Sequence, residues 1–396
     1  MVNGAWRRVA KAAGLLDGAG VPAPTIFARM SELATRTGAI NLGQGFPDTD
    51  GPSAVLEAAV AAIRGGANQY PPGRGIAPLR RAVAEHQRHW YGLDPDPDTE
   101  VLVTAGATEA LTASIIALTE PGDEVVVLEP IYDSYSAAIE MAGAVRRTVK
   151  LEWPEYRLTA EALARAVTDR TRLILLNTPH NPTGRVLDRS ELDLVAGAAR
   201  DHDLIVLADE VYEHLAFAPH QHVPIATLPG MADRTVTISS AGKTFSVTGW
   251  KIGWLHARPE LVDAITAVKQ FLTYVNGSPF QPAVAAGLAL PDEQFRAFGE
   301  DLRGRSTMLT DGLAAAGFDV RPSDGTYFVI ADATPLGYRD GAALCDDLPR
   351  LAGVVGVPVQ AFAEDPSQPS PLVRFACCKR PDVIAEAAER LAGMRR

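Results

Sequence analysis

The sequence predicts an α/β protein: a large domain with a mostly parallel sheet flanked by helices, followed by a smaller α+β domain. Three observations predict it. Continuous apolar runs bounded by turn signals, such as RLILLN (172–177) and LIVLAD (204–209), fit strands buried on both faces of a sheet. Segments with helical spacing alternate with these runs, as parallel crossovers require. Near residue 291 the alternation ends, and one long helical stretch gives way to short strands. With 396 residues, the chain has room for two or so domains of roughly 100–200 residues each.

The first residues, MVNGAWRRVAKAAGLLDGAGVPAP, suggest a short helix or an arm. Arg7 and Arg8 would suit the start of a secretory signal, but Lys11 and Asp17 interrupt the place of its apolar core. Apolar periodicity predicts helices over 53–63 (SAVLEAAVAAI) and 76–90 (IAPLRRAVAEHQRHW). VLVT (101–104) reads as a strand, ATEALTASIIAL (107–118) as a helix and EVVVL (124–128) as a strand. YDSYSAAIEMAG reads as a helix that ends on Gly143. LDRSELDLVAGAARDH (187–202) is a helix between two apolar strands, and TVTISS (235–240) and IGWLHA (252–257) complete the series. A helical stretch (292–316), the short strands FDVR, TYFVIA, GVVGV and LVRFA, and a last helix (381–394) follow. EDPSQPSP (364–371) is a turn-rich loop. These elements imply an N-terminal arm with part of the small domain over 1–50, a large domain over 51–290 and a small C-terminal domain over 291–396.

Composition narrows the function. A formal net charge of −11 gives no basic face with which to expect a nucleic-acid partner. No run of 18 uncharged apolar residues predicts a membrane span. The three cysteines, Cys345, Cys377 and Cys378, form no CxxC pattern. They argue against disulfides and a metal site, and suit a reducing, cytoplasmic compartment.

Several polar residues fall at predicted strand ends and converge on one edge of the sheet. Lys243 follows 235–240 in SSAGKTFSVTGWKIGW. A lone loop lysine is usually a solvated charge. Here close small residues and nearby glycines would let a ligand approach, and a lysine amine of lowered pKa attacks aldehydes. Ser240 and Lys251 could then bind an anion. Asp209 in DEVYEHL reads either as a helix cap or as the partner of a pyridinium nitrogen, which lets a ring accept electrons from a substrate carbanion. Tyr212 would offer a hydroxyl on the same side, whereas Glu210 reads as structural. In NTPHNPTG, Asn181 could donate to a phenolate oxygen, and His180 reads as a loop histidine. Gly106, Ala107 and Thr108 present N–H groups at a helix start, where anions bind. Tyr132 sits where a flat ring could stack, although a core aromatic is the commoner role.

With these residues assembled, the sequence resembles the class I/II pyridoxal-phosphate aminotransferases of fold type I, from about Thr25 to the last helix. SSAGKTFSVTGWKIGW (239–254) is similar to that family's lysine signature. NLGQGFPD (41–48), NQYPPG (68–73), PHNPTG (179–184) and DEVY (209–212) stand in the family's order. The kynurenine, glutamine and methionine aminotransferases and the actinobacterial succinyldiaminopimelate aminotransferases are the groups it most resembles. The resemblance implies that Lys243 binds pyridoxal 5′-phosphate covalently and moves the substrate proton. It implies that Asp209 pairs with the pyridine nitrogen, that Asn181 and Tyr212 meet the ring hydroxyl, and that Tyr132 stacks on the ring. Ala107, Thr108, Ser240 and Lys251 would hold the phosphate, joined by Tyr70 from the other subunit of a homodimer. Arg374 and the Gly45 backbone would take the substrate α-carboxylate. Phe27 stands where kynurenine-type enzymes tend to have tryptophan, and Tyr274 and Val275 where some have an aromatic–histidine pair, so the substrate pocket is altered.

The reaction so implied is transamination between an L-amino acid, with glutamate or glutamine as donor, and a 2-oxo acid or N-succinyl-2-amino-6-oxopimelate. β- or γ-Elimination, cyclisation or carbon–carbon bond formation would share the first chemical step. A non-catalytic regulatory domain that keeps the cofactor as a ligand is the distant alternative.

Overall fold

The structure, a computed structural model, describes residues 4–394. Within them the strands are β1 (Ile40–Asn41), β2 (Val101–Thr104), β3 (Glu124–Glu129), β4 (Val145–Lys150), β5 (Thr171–Asn177), β6 (Ile205–Asp209), β7 (Thr235–Ser240) and β8 (Gly253–His256), then β9 (Asp319–Val320), β10 (Phe328–Asp332), β11 (Val354–Val355), β12 (Val357–Pro358) and β13 (Leu372–Ala376). Seven of them form one sheet in the order β2-β8-β7-β6-β5-β3-β4. Side chains alternate across its faces. Val126, Leu128, Ile174 and Leu176 pack into a core on one side. Val125, Val127, Leu173 and Leu175 pack into another core on the other side. A strand buried on both faces has no polar alternation, which explains the unbroken apolar runs.

Two strands add detail to the mostly parallel sheet. β8 runs antiparallel to both β2 and β7. The residues linking it to β7 hold only a four-residue helix, Ala241–Thr244, and a short 3-10 turn, Thr248–Trp250, so no crossover helix carries the chain back across the sheet. β4 (VRRTVK) has no apolar run that predicts a strand. It is the sheet edge, where charged residues guard unpaired backbone and no apolar run is needed.

Helix ends follow local chemistry. Helix Arg189–Asp201 starts with a capping box between Asp188 and Glu191. Helix Asp133–Ala142 stops at Gly143, which takes a left-handed φ of 72°. The smaller sheet, β12-β13-β10-β9, is antiparallel. Against this region, helix Asp292–Ala315 packs on helix Pro381–Ala392, close enough that a Cβ on Gly312 would lie 2.7 Å from Ala388. β1 pairs in parallel with β11, which joins the segment before residue 50 to the C-terminal unit. Helix Trp6–Ala12 lies against helix Asp133–Ala142, with Arg8 and Glu140 3.0 Å apart.

Candidate active site

The parallel strands β5, β6 and β7 end on Asn177, Asp209 and Ser240. Open α/β sheets bind ligands beyond these carboxyl ends. A cavity of about 310 Å³ lies there, lined also by the start of helix Gly106–Leu118, the Gln44–Phe46 loop and Arg374 of β13.

Asp209 is buried, and Tyr135 Oη donates to its Oδ2 at 2.6 Å. Burial pushes its carboxyl up to about 6, with the Tyr135 hydrogen bond acting against that rise. Asn177 locks the neighbouring loop to this strand end. Its Nδ2 donates to the Asp209 carbonyl at 2.8 Å, and its Oδ1 accepts from the Asn181 backbone N–H at 2.8 Å.

Lys243 lies on the short helix after β7 and donates from Nζ to Tyr327 Oη at 2.9 Å. Burial pulls its ammonium down to about 8, opposed by the neighbouring Cys378 and Asp209. Tyr212 is buried and meets the Tyr327 ring edge-on at 5.3 Å. Burial holds the Tyr132 phenol up, at about 12.

Arg374 is only 2% exposed. It donates to Asn181 Oδ1 at 2.9 Å and to the Gly43 carbonyl at 3.1 Å, and its Nε has no hydrogen-bond partner. The rings of Phe328, Phe362 and Phe27 surround it at 4.1, 4.7 and 5.4 Å. No Asp or Glu among the described residues lies at ion-pair distance from it, although the Asp133 carboxyl acts on it from farther away. Burial pulls the guanidinium down to about 10. A buried cation without a carboxylate is costly in isolation and suited to an anionic guest.

At the far end, the first backbone N–H groups of helix Gly106–Leu118 lack intrahelical partners and carry the positive end of the helix dipole. Ser240, Thr248 and Lys251 line the same cavity. Close backbone packing shapes it: a Cβ on Gly253 would lie 2.6 Å from the Gly106 carbonyl carbon. Gly106 itself takes a φ of 73°, with Lys251 Nζ 3.3 Å from where its Cβ would stand.

The cavity therefore gathers Lys243, Asp209, Tyr212, Asn181, Tyr132, Gly106, Ala107, Thr108, Ser240, Lys251, Arg374, Gly45 and Phe27. It does not take in Tyr70 or Tyr274 of the same chain. Their rings meet edge-on at 5.6 Å, and they are 81% and 40% exposed. Tyr135, Asn177, Gln44 and Phe328 also line it and were not singled out from sequence, nor was Tyr327. Tyr135 and Asn177 belong to motifs already recognised, EPIYDSY and NTPHNPTG, where position in the motif was the available signal. Tyr327 and Phe328 stood in an ordinary strand pattern with no signal at all. His180 is buried, 2.7 Å from Thr183 Oγ1, and burial lowers it to about 4. Glu210 pairs with His222 at 3.0 Å. His86, Glu213 and His214 bring ligating atoms within 4.8 Å of one another, a grouping that no sequence spacing marked.

The description "Aminotransferase class I and II" belongs to the family model that matches residues 37–391. A probable N-succinyldiaminopimelate aminotransferase of Mycobacterium tuberculosis is 53% identical over 380 residues, which cover 93% of this chain and 96% of that protein. The methionine aminotransferase of Escherichia coli is 38% identical over 367 residues, covering 93% of this chain and 95% of its own. The solved structure of N-succinyldiaminopimelate aminotransferase from Mycobacterium tuberculosis matches with a TM-score of 0.90 at 54% identity, covering 93% of this chain and 97% of that one.

Proposed function

The chain belongs to the class I and II aminotransferases, and on that footing we propose that it holds pyridoxal 5′-phosphate on Lys243 and aminates N-succinyl-2-amino-6-oxopimelate from a glutamate- or glutamine-like donor. One observation carries the reading. A lysine amine lowered to about 8, a carboxyl raised to about 6 and a buried arginine without an acid partner face one cavity. Structural ion pairs would have neutralised one another; these groups are kept apart for a guest of mixed charge.

The residues fit that cofactor. The first turn of helix Gly106–Leu118 with Ser240 and Lys251 suits a phosphate, and the close approach of Gly253 keeps the backbone there free of side-chain bulk. Asp209 suits the ring nitrogen, Asn181 and Tyr212 the ring hydroxyl, and Tyr132 the ring face. When bound, the cofactor supplies a ring that takes up electrons as the substrate Cα–H bond breaks. Lys243 makes the covalent link. Its amine, once freed by a substrate amine, would take the proton from the substrate Cα. Lowered to about 8, that amine is part neutral near pH 7, as a general base requires. Arg374 and the Gly45 backbone hold the α-carboxylate, while three phenylalanine rings keep water from the guanidinium. This grip fixes the orientation of the Cα–H bond.

The acceptor is proposed from the 53% identical relative of Mycobacterium tuberculosis, a probable N-succinyldiaminopimelate aminotransferase. A homodimer is part of the same reading. Tyr70, Phe271 and Leu272 are 81%, 88% and 46% exposed beside Tyr274, an apolar surface that suits a second copy. Tyr70 would then reach the partner's phosphate. A cytoplasmic location suits the three free, buried cysteines.

The test is an absorbance titration of the cofactor-loaded protein, with Lys243→Ala alongside. Glutamate or glutamine should convert the cofactor to its amine form. N-Succinyl-2-amino-6-oxopimelate should restore it and appear as N-succinyldiaminopimelate. No conversion by any amino acid would overturn transamination. Restoration by 2-oxo acids but not by the succinylated acceptor would overturn the substrate.

A further inference from the structure

Lys243 donates a side-chain hydrogen bond at the site to a residue that no role above uses. Tyr327 is 1% exposed and stands just before β10, in the smaller antiparallel sheet. Its hydroxyl donates to the Gly45 carbonyl at 2.8 Å. A phenol has one proton, so toward Lys243 Nζ, 2.9 Å away, the same oxygen is an acceptor. One hydroxyl thus bridges a residue 84 positions away and another 282 positions away.

The ring has little freedom to serve otherwise. It packs edge-on against Tyr212 at 5.3 Å and Phe328 at 4.8 Å. Its backbone carbonyl accepts from the Cys377 N–H at 2.8 Å. Phe328, the next residue, stacks on Arg374 at 4.1 Å and comes so near Gly45 that a Cβ there would lie 2.7 Å from its ring.

We propose that Tyr327 is a positioning residue that aims the Lys243 amine and ties it to the Gly45 loop, so that base and carboxylate grip move as one unit. The inference rests on Lys243 being the base. A neutral amine has two N–H bonds and one lone pair. Committing one N–H to Tyr327 stops rotation about the Cε–Nζ bond and turns the lone pair away from the tyrosine. The Gly45 contact sets the hydroxyl by the same loop that meets the substrate carboxylate. Asp209, Arg374, Lys251 and Cys378 also act on Lys243, and the Tyr212 ring faces its Nζ at 5.7 Å, but none of them supplies this bridge.

The experiment compares Tyr327→Phe, which keeps the ring, with wild type in three readouts. These are kcat and KM against pH, thermal melting, and the pH dependence of covalent cofactor capture by cofactor-stripped protein, followed by absorbance. The expected result is a fall in kcat of about 10-fold with KM nearly unchanged and melting preserved. The acidic limb of kcat and the capture midpoint should both move to lower pH, since an acceptor that stabilised the ammonium is gone. Unmoved kcat and pH midpoints would overturn the proposal. So would a lower kcat accompanied by lower melting and unmoved midpoints, which marks mere packing. Should Tyr327→Phe not fold, Tyr327→Leu, which likewise removes the acceptor, is read by the same criteria. Lys243→Ala separates the two levels: if it still captures cofactor covalently, the Lys243 assignment fails. If it does not, while Tyr327→Phe behaves as wild type, only the present inference fails.

Discussion

Tyr135 Oη donates a 2.6 Å hydrogen bond to Asp209 Oδ2. The donor favours the charged carboxylate, so Tyr135→Phe should raise Asp209 beyond about 6 and leave less of it ionised at pH 7. Hydrogen bonds to charged groups are worth about 1.5–3 kcal/mol. Pyridoxal phosphate should therefore bind roughly 10–150-fold more weakly by absorbance titration. An unchanged dissociation constant would show that Tyr135 does not govern this carboxylate.

Arg374→Lys tests the carboxylate grip. Lysine keeps the charge and loses the planar fork. KM for the amino donor should rise by roughly 10–100-fold while the absorbance of bound cofactor stays as in wild type. A rise of less than twofold would remove Arg374 from substrate binding.

Two glycines should respond oppositely to alanine. At Gly253 a Cβ would lie 2.6 Å from the Gly106 carbonyl carbon and 2.8 Å from the Ala107 nitrogen, so Gly253→Ala must shift the helix start. It should cost about 1–3 kcal/mol of stability and weaken cofactor retention. At Gly304, within helix Asp292–Ala315, a Cβ meets nothing within 4 Å. Gly304→Ala should stabilise by about 0.5–1 kcal/mol, read from denaturant unfolding. Equal effects at the two sites would refute the packing argument.

Acid should destabilise the fold through buried neutral histidines. Burial lowers His86, His180 and His256 to about 4, and His214 well below its ordinary value. Below the unfolded value of about 6.5 the unfolded chain binds protons that the native chain refuses. The stability they contribute is full above that pH and is lost as pH falls toward 4, by about 1.4 kcal/mol per pH unit for each. The carboxyls that burial raises, Asp209 to about 6 and Glu129, Asp133 and Glu213 in the same direction, oppose this between their folded and unfolded values. Unfolding midpoints should drop most steeply between about pH 6.5 and 4. A flat profile there would mean that these histidines are protonated in the native state.

The chain determined by itself what local pattern can carry. Strands buried on two faces favour continuous apolar runs, so β3, β5 and β6 stood out. The polar residue that ends such a run stood out with it, which is why Asp209 and the neighbouring Lys243 and Asn181 were legible. Only the tertiary structure decided the rest. The direction of β8 depends on where its connection runs, and the edge strand β4 needs no apolar run at all. The Arg374–Asn181 contact spans 193 positions and the Tyr327–Gly45 contact 282. Neither has a period to read, because hydrophobic spacing records which face is buried and not which distant group arrives there. Tyr327 looked like any strand-start aromatic until the packing of the smaller sheet set its hydroxyl between the lysine amine and the Gly45 carbonyl.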